Sequence, residues 1–264
     1  TPPAGATTAQ VSWNYANTSN NWYWAVDNYL LKSSVVAPPK PFDPSKLPDT
    51  ASKPSLLVGP TLQSPGADRM TVMLETNEPS PTVWMRKAGS TGAFTIVDAA
   101  NATGAFADAS IFFADLKGLE SNTLYEYAVV TGNSNAPKLA GPYHFKTWPK
   151  AGDDVAQAKF VVIADSQDGR SINGMKVMQR IAENGVMQKD CDINNPQTCA
   201  SNVAGFILAG DFTNWADDRP RWNEQVFGPL AKLLAHVPLI PSAGNHEYDG
   251  SLAIKLEESD KWAI

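Results

Sequence analysis

Three stretches decide how this chain folds: Lys159-Phe-Val-Val-Ile-Ala-Asp-Ser-Gln167, Ala204-Gly-Phe-Ile-Leu-Ala-Gly-Asp211 and Val237-Pro-Leu-Ile-Pro-Ser-Ala-Gly-Asn-His-Glu247. Each is a short apolar run that ends abruptly in polar residues. Runs of this kind, without alternation, predict strands buried on both faces, as in a parallel sheet. After the first, Ser171 to Glu183 places Ile172, Met175, Met178 and Ile181-Ala182 on one helical face and stops at Asn184-Gly185. After the second, Asp218 is placed to cap a helix, with Pro220 in its first turn and Trp222, Val226, Leu230, Leu233 and Leu234 as its apolar stripe. The order β-α-β-α-β is a layered α/β arrangement.

Parallel strands of one sheet end on the same side, where open α/β sheets bind their ligands. The three tips are Asp165-Ser-Gln167, Gly210-Asp211 and Gly244-Asn245-His246-Glu247, with Gly210 and Gly244 allowing sharp turns. They offer carboxylates, amides and an imidazole. Two metal ions about 3.5–4 Å apart need a bridging carboxylate and terminal oxygen or nitrogen ligands. Asp211 is the natural bridge, with Asp165 on one ion and Asn245 on the other, and Gln167 offers an amide oxygen. His246 is placed to protonate a leaving oxygen or steady a phosphoryl oxygen. Asn214, Trp215 and Arg219, just past Asp211, are candidates to line a substrate. A lone Asp after a strand is usually a turn or cap residue; the meaning lies in three such tips in this order.

The remaining sequence has a different texture. From Pro54 to Pro149, strand-sized runs with period-two alternation are separated by Gly, Pro, Asn and Asp, which predicts a β-sandwich. Those runs are Met70 to Thr76, Thr82 to Arg86, Phe94 to Val97, Ser110 to Ala114, Leu124 to Val130 and Tyr143 to Thr147. His144 reads as a structural histidine on a strand. Residues 1–53 hold an aromatic cluster (Trp13, Tyr15, Trp22, Tyr23, Trp24, Tyr29) and an extended connector with six prolines between Val35 and Pro54. Pro149 to Lys159 is a linker. Of the 264 residues, 43% are hydrophobic and 18% charged, a globular rather than a disordered composition. The net charge of −6, without a basic cluster, gives no nucleic-acid footprint, and no apolar run is long enough to span a bilayer. Cys191 and Cys199 flank a short polar loop, and no further ligands stand near to complete a zinc site. A disulfide is the favoured reading over two free thiols, which points to an extracytoplasmic location: secreted, periplasmic or cell-surface.

The strings Asp165-Ser-Gln167, Gly210-Asp211 and Gly244-Asn245-His246-Glu247 resemble the first three blocks of the calcineurin-like metallophosphoesterase superfamily. The segment Leu116-Lys-Gly-Leu-Glu-Ser-Asn-Thr-Leu-Tyr-Glu-Tyr127 resembles a fibronectin type III corner, and such a domain ahead of the catalytic one resembles the purple acid phosphatases. The resemblance implies an α+β multidomain chain, with a fibronectin III-like sandwich (54–149) followed by the N-terminal half of an αββα metallophosphoesterase domain (150–264). It also implies two Fe, Mn or Zn ions and hydrolysis of phosphate mono- or diesters by a metal-bound hydroxide. By this analogy Asp165 holds the first metal, Asp211 bridges, Asn245 holds the second and His246 contacts the phosphate. The chain departs from the pattern in three ways. Gln167 stands where the family has His, Asn214 where purple acid phosphatases have Tyr, and the later histidines are missing, since the sequence holds only His144, His236 and His246. The expectation is therefore that a C-terminal fragment or second chain completes the site. The alternative is a non-catalytic extracellular scaffold or assembly protein with a degenerate hydrolase fold.

Overall fold

The computed structural model describes residues 41–102, 111–167, 178–192, 194–213 and 219–247. The aromatic cluster of the first 40 residues, together with Asn214 and Trp215, lies outside them. So do Asp218 and the helix start at Ser171.

The strand-sized runs form two facing sheets. In one, β3 (Thr82–Lys87) lies between β4 (Thr95–Asp98) and β7 (Leu124–Asn133), and β7 also pairs with β8 (Ala136–Lys146); all are antiparallel. The other contains β1 (Leu56–Gln63), β2 (Arg69–Thr76), β5 (Ala100–Asn101) and β6 (Ile111–Lys117), in the order β5-β6-β2-β1. The sandwich core is built by alternation. Leu62, Met70, Val72, Ala114 and Leu116 from one sheet meet Val83, Met85, Tyr125, Tyr127 and Phe145 from the other. The β6–β7 corner is closed by Leu119 and by Tyr125, whose hydroxyl accepts the Glu120 N–H at 2.9 Å. Trp84 fills a satellite core with Phe94, Phe42 and Leu47, so the Pro-rich approach segment is packed from Phe42 onward.

Beyond Pro149 come the three expected parallel strands: β9 (Phe160–Ile163), β10 (Gly205–Ala209) and β11 (Leu239–Ser242). They do not form a separate sheet. β1 pairs in parallel with β11 through Gln63 and Leu239, giving one seven-stranded sheet, β5-β6-β2-β1-β11-β10-β9. β1 is absent from the sequence reading because Gly59-Pro60 interrupts it. There the strand carries a bulge, Gly59 sits at φ +88°, and a β-carbon at that position would stand 2.7 Å from the Met73 carbonyl.

Helices cover one face of this sheet. A helical run over 178–190, α1, contributes Met178, Ala182, Val186 and Met187. A second run over 219–234, α2, contributes Trp222, Val226, Phe227, Leu230, Leu233 and Leu234, the expected stripe, with Pro220 in its first turn. These side chains form one core with Phe206 and Leu208 of β10 and with Val58, Met73 and Ile111, which face away from the sandwich interior. Two expectations need correction. α1 does not stop at Asn184-Gly185; it continues through wide π-type turns over Ile181–Met187, because Val186 and Met187 extend its buried stripe. Nor is β9 buried on both faces. Val161 and Ile163 pack on the helical core, while Phe160 and Val162 are 44% and 62% exposed, since no described element covers that side of this edge position.

Cys191 and Cys199 form the expected disulfide, with Cα atoms 4.9 Å apart. Side chains of the sandwich lock onto the α/β region. The buried Tyr127 hydroxyl donates to the Ala235 carbonyl at 2.7 Å, and Trp148 Nε1 donates to the Ala204 carbonyl at 2.9 Å. The His144 backbone N–H donates to His236 Nδ1 at 3.1 Å. Among the described residues no helix is long and apolar enough to cross a membrane.

Candidate functional site

The register of β9, β10 and β11 sets Leu208 beside Ile163 and Ala209 beside Ser242, so the three strands end together at one sheet edge. Past those ends the backbone continues to pair. Asp165 N–H donates to the Gly210 carbonyl at 3.1 Å, and Gln167 N–H donates to the Asp211 carbonyl at 3.0 Å. The first two tips are thereby stitched together.

The second and third tips meet more closely. Gly210 takes φ +84°, and a β-carbon on it would lie 3.0 Å from Gly244 Cα. A β-carbon on Gly244 would stand 2.3 Å from Asp211 Oδ1 and 2.5 Å from its backbone nitrogen. Gly210 thus serves as the expected turn. Gly244 is required instead because its bare backbone lies against Asp211. Asp211 Oδ1 accepts the His246 N–H at 2.9 Å. Glu247, only 2% exposed, accepts four backbone N–H groups, those of Asp211, Phe212, Thr213 and Gly244.

Asp165 and Asp211 both adopt left-handed backbone, at φ 51° and 52°. Such conformations are uncommon outside glycine and concentrate where a side chain is aimed for function. Asp211 is buried, with Asp165 and Asn245 exposed and Gln167 and His246 half-buried around it. Three buried polar atoms here have no hydrogen-bond partner among the described residues: Gln167 Oε1, Ser166 Oγ and Thr213 Oγ1. An orphaned amide oxygen beside two carboxylate-bearing tips fits a cation ligand, because leaving it unpaired is costly otherwise. No group of three or more His, Cys, Asp and Glu side chains gathers among the described residues.

The structure therefore brings Asp165, Gln167, Asp211, Asn245 and His246 to one edge of the sheet. Arg219 begins α2, but its side chain is outside the described residues. Glu247 is the residue that sequence reasoning passed over. Three of its partners are backbone N–H groups 34 to 36 positions earlier, which no local pattern reveals. His144 and His236 are remote from the tips and belong to the junction with the sandwich.

No curated protein matches the chain by sequence. Among solved structures, the purple acid phosphatase PPD1 isolated from yellow lupin (Lupinus luteus) seeds is similar at a TM-score of 0.55 and 19% identity, over 76% of this chain and 38% of that one. PhoD is similar at 0.51 and 16%, over 77% of this chain and 41% of that one. The chain thus spans about two fifths of the length of these two structures, and at such identities the likeness is one of fold. Residues 158–264, which hold all three tips, match the family model described as calcineurin-like phosphoesterase.

Proposed function

We propose that the three tips are part of a metal-dependent centre that hydrolyses phosphate esters, mono- or diesters. The observation that carries the reading is the hydrogen bonding of the first and third tips to Asp211, with the Gln167 amide oxygen buried and without a partner among the described residues. Asp165 would hold one metal, Asp211 bridge to a second, Asn245 hold the second, and Gln167 add a weaker oxygen ligand. The ions would be Fe, Mn or Zn. A bound pair of such ions supplies charge neutralisation at the phosphoryl oxygens and an acidified water.

The chain's own residues do the rest. The hydrogen bond from His246 N–H fixes the Asp211 carboxylate, and the adjoining imidazole of His246 donates a proton or hydrogen bond to the phosphate or its leaving oxygen. Asn214, Trp215 and Arg219 line the substrate. His144 and His236 are committed to the junction, so imidazole ligands beyond His246 come from a further segment or a second chain. The sandwich (54–149), of fibronectin III type at its tyrosine-closed corner, acts as a packing partner for the phosphoesterase region (150–264), and an aromatic arm (1–53) precedes it in the sequence. The disulfide favours an extracytoplasmic setting.

The test is metal content by mass spectrometry, together with hydrolysis of p-nitrophenyl phosphate and its diester, for the chain and its Asp211→Asn variant. Metal uptake by the parent and loss of both metal and turnover in the variant are expected. A parent protein that takes up no Mn, Fe or Zn even when supplied with that further segment or second chain refutes the reading and favours the scaffold alternative.

A further inference from the structure

We infer that Glu247 is the positioning residue of this centre: its buried carboxylate clamps the Asp211 loop to the Gly244 loop and so fixes the pose in which Asp211 offers an oxygen to metal. The inference rests on the metal reading above. Glu247 Oε2 accepts from Asp211 N–H at 2.7 Å and from Gly244 N–H at 2.8 Å, so one oxygen ties two tips. Oε1 accepts from Phe212 N–H at 2.9 Å and Thr213 N–H at 3.0 Å. Three successive N–H groups that follow a left-handed residue form a concave anion nest, and here the anion is a side chain of the protein itself.

The arrangement answers two problems at once. A left-handed Asp211 persists only where its surroundings over-determine it, and its own N–H is one of the clamped four. A carboxylate 2% exposed needs strong compensation, which four backbone dipoles provide. The clamp leaves the Asp211 side chain outside the nest, where Oδ1 is oriented by His246 N–H. Glu247 thus acts on a metal only through Asp211, in the manner of outer partners that orient ligands.

Glu247→Gln puts an NH2 donor where one oxygen accepted two N–H groups, so half of the clamp is lost with little change in size. Glu247→Asp keeps the charge and withdraws it by one methylene. Mn²⁺ titration by calorimetry, thermal melts in metal-free buffer and amide hydrogen exchange would be run on the full chain, on both variants and on Asp211→Asn. Glu247→Gln is expected to bind Mn²⁺ roughly 10–100-fold more weakly, with Glu247→Asp between it and the parent. Exchange should quicken at Asp211, Phe212, Thr213 and Gly244 while Phe206 and Leu208 stay protected. Glu247→Gln binding Mn²⁺ like the parent, with Asp211→Asn binding none, would overturn the inference and leave the metal reading standing. A parent that binds none of Mn²⁺, Fe²⁺ and Zn²⁺ removes the metal reading and the inference with it. Should Glu247→Gln not fold, Glu247→Asp and the parent's exchange decide. Parent-like affinity in Glu247→Asp, or unprotected amides at the four positions in the parent, would overturn the inference.

Discussion

Acidification from pH 7 to pH 4 should loosen the junction between the sandwich and the α/β region, and the structure sets the size of the effect. His236 is 7% exposed; burial, with His144 beside it, lowers its pKa from 6.5 to about 4, although the hydrogen bond with the His144 backbone opposes the shift. In the unfolded chain the imidazole titrates near its ordinary 6.5. Between those values the unfolded state binds a proton that the folded state refuses, so stability is full above pH 6.5 and drains away as the pH falls toward 4. Two and a half pKa units, with His236 half-titrated in the folded state at pH 4, amount to about 3 kcal/mol. Nδ1 lies 3.1 Å from both the His144 N–H and the His144 carbonyl, so a protonated ring would give up the bond from the N–H and donate to the carbonyl, which is the bond that opposes the shift. His144 adds in the same direction, since burial lowers its pKa too, against the pull of Glu126 across the strand pair. The assay is urea unfolding of the parent and His236→Asn, which keeps an acceptor near the Nδ1 position, at intervals from pH 7 to pH 4. The common titration of surface carboxylates cancels in the difference. The parent's stability relative to the variant should fall by about 3 kcal/mol across this range. A difference that stays constant to within about 0.5 kcal/mol would refute the reasoning.

Tyr127→Phe leaves the Ala235 carbonyl without its buried donor and should cost about 1–2 kcal/mol in urea unfolding; no change would mean that water replaces the hydroxyl. Gly244→Ala drives a β-carbon to within 2.3 Å of Asp211 Oδ1, so the two loops must part. Loss of stability of about 1–3 kcal/mol and weakened Mn²⁺ binding are expected together, measured by melts and calorimetry. Replacing both Cys191 and Cys199 by Ser opens a loop with a sequence separation of 8 and should cost about 2–3 kcal/mol on the chain-entropy account, with the dithiol-reduced parent matching the variant.

Legibility followed the range of the interactions. The stripe Trp222, Val226, Leu230, Leu233 and Leu234 was plain because helical period is a local property, and all five side chains are buried. The three strand tips were plain because each follows directly on its own apolar run, and the ladder then brings them together. What escaped depends on distant partners. β1 was hidden by a Gly-Pro that reads as a turn but forms a bulge, and its pairing with β11 leaves no mark in either segment. The exposed side of β9 follows from its place in the sheet rather than its composition, since Phe160 and Val162 are as apolar as the buried Phe206 and Leu208. Gly244 and Glu247 owe their roles to a contact between loops that only the folded sheet creates.

The register between Gln63 and Leu239 bears on how the nascent polypeptide matures. The outer edge of β1 is synthesised early, whereas the strand that covers it leaves the ribosome only after α2 has been made. During that interval Val58, Met73 and Ile111 lack their helical lid, and the growing chain displays an open edge together with an oily face. A closure that must wait for so remote a segment is slow by the logic of contact order, which makes this the stage at which a holding chaperone has most to protect.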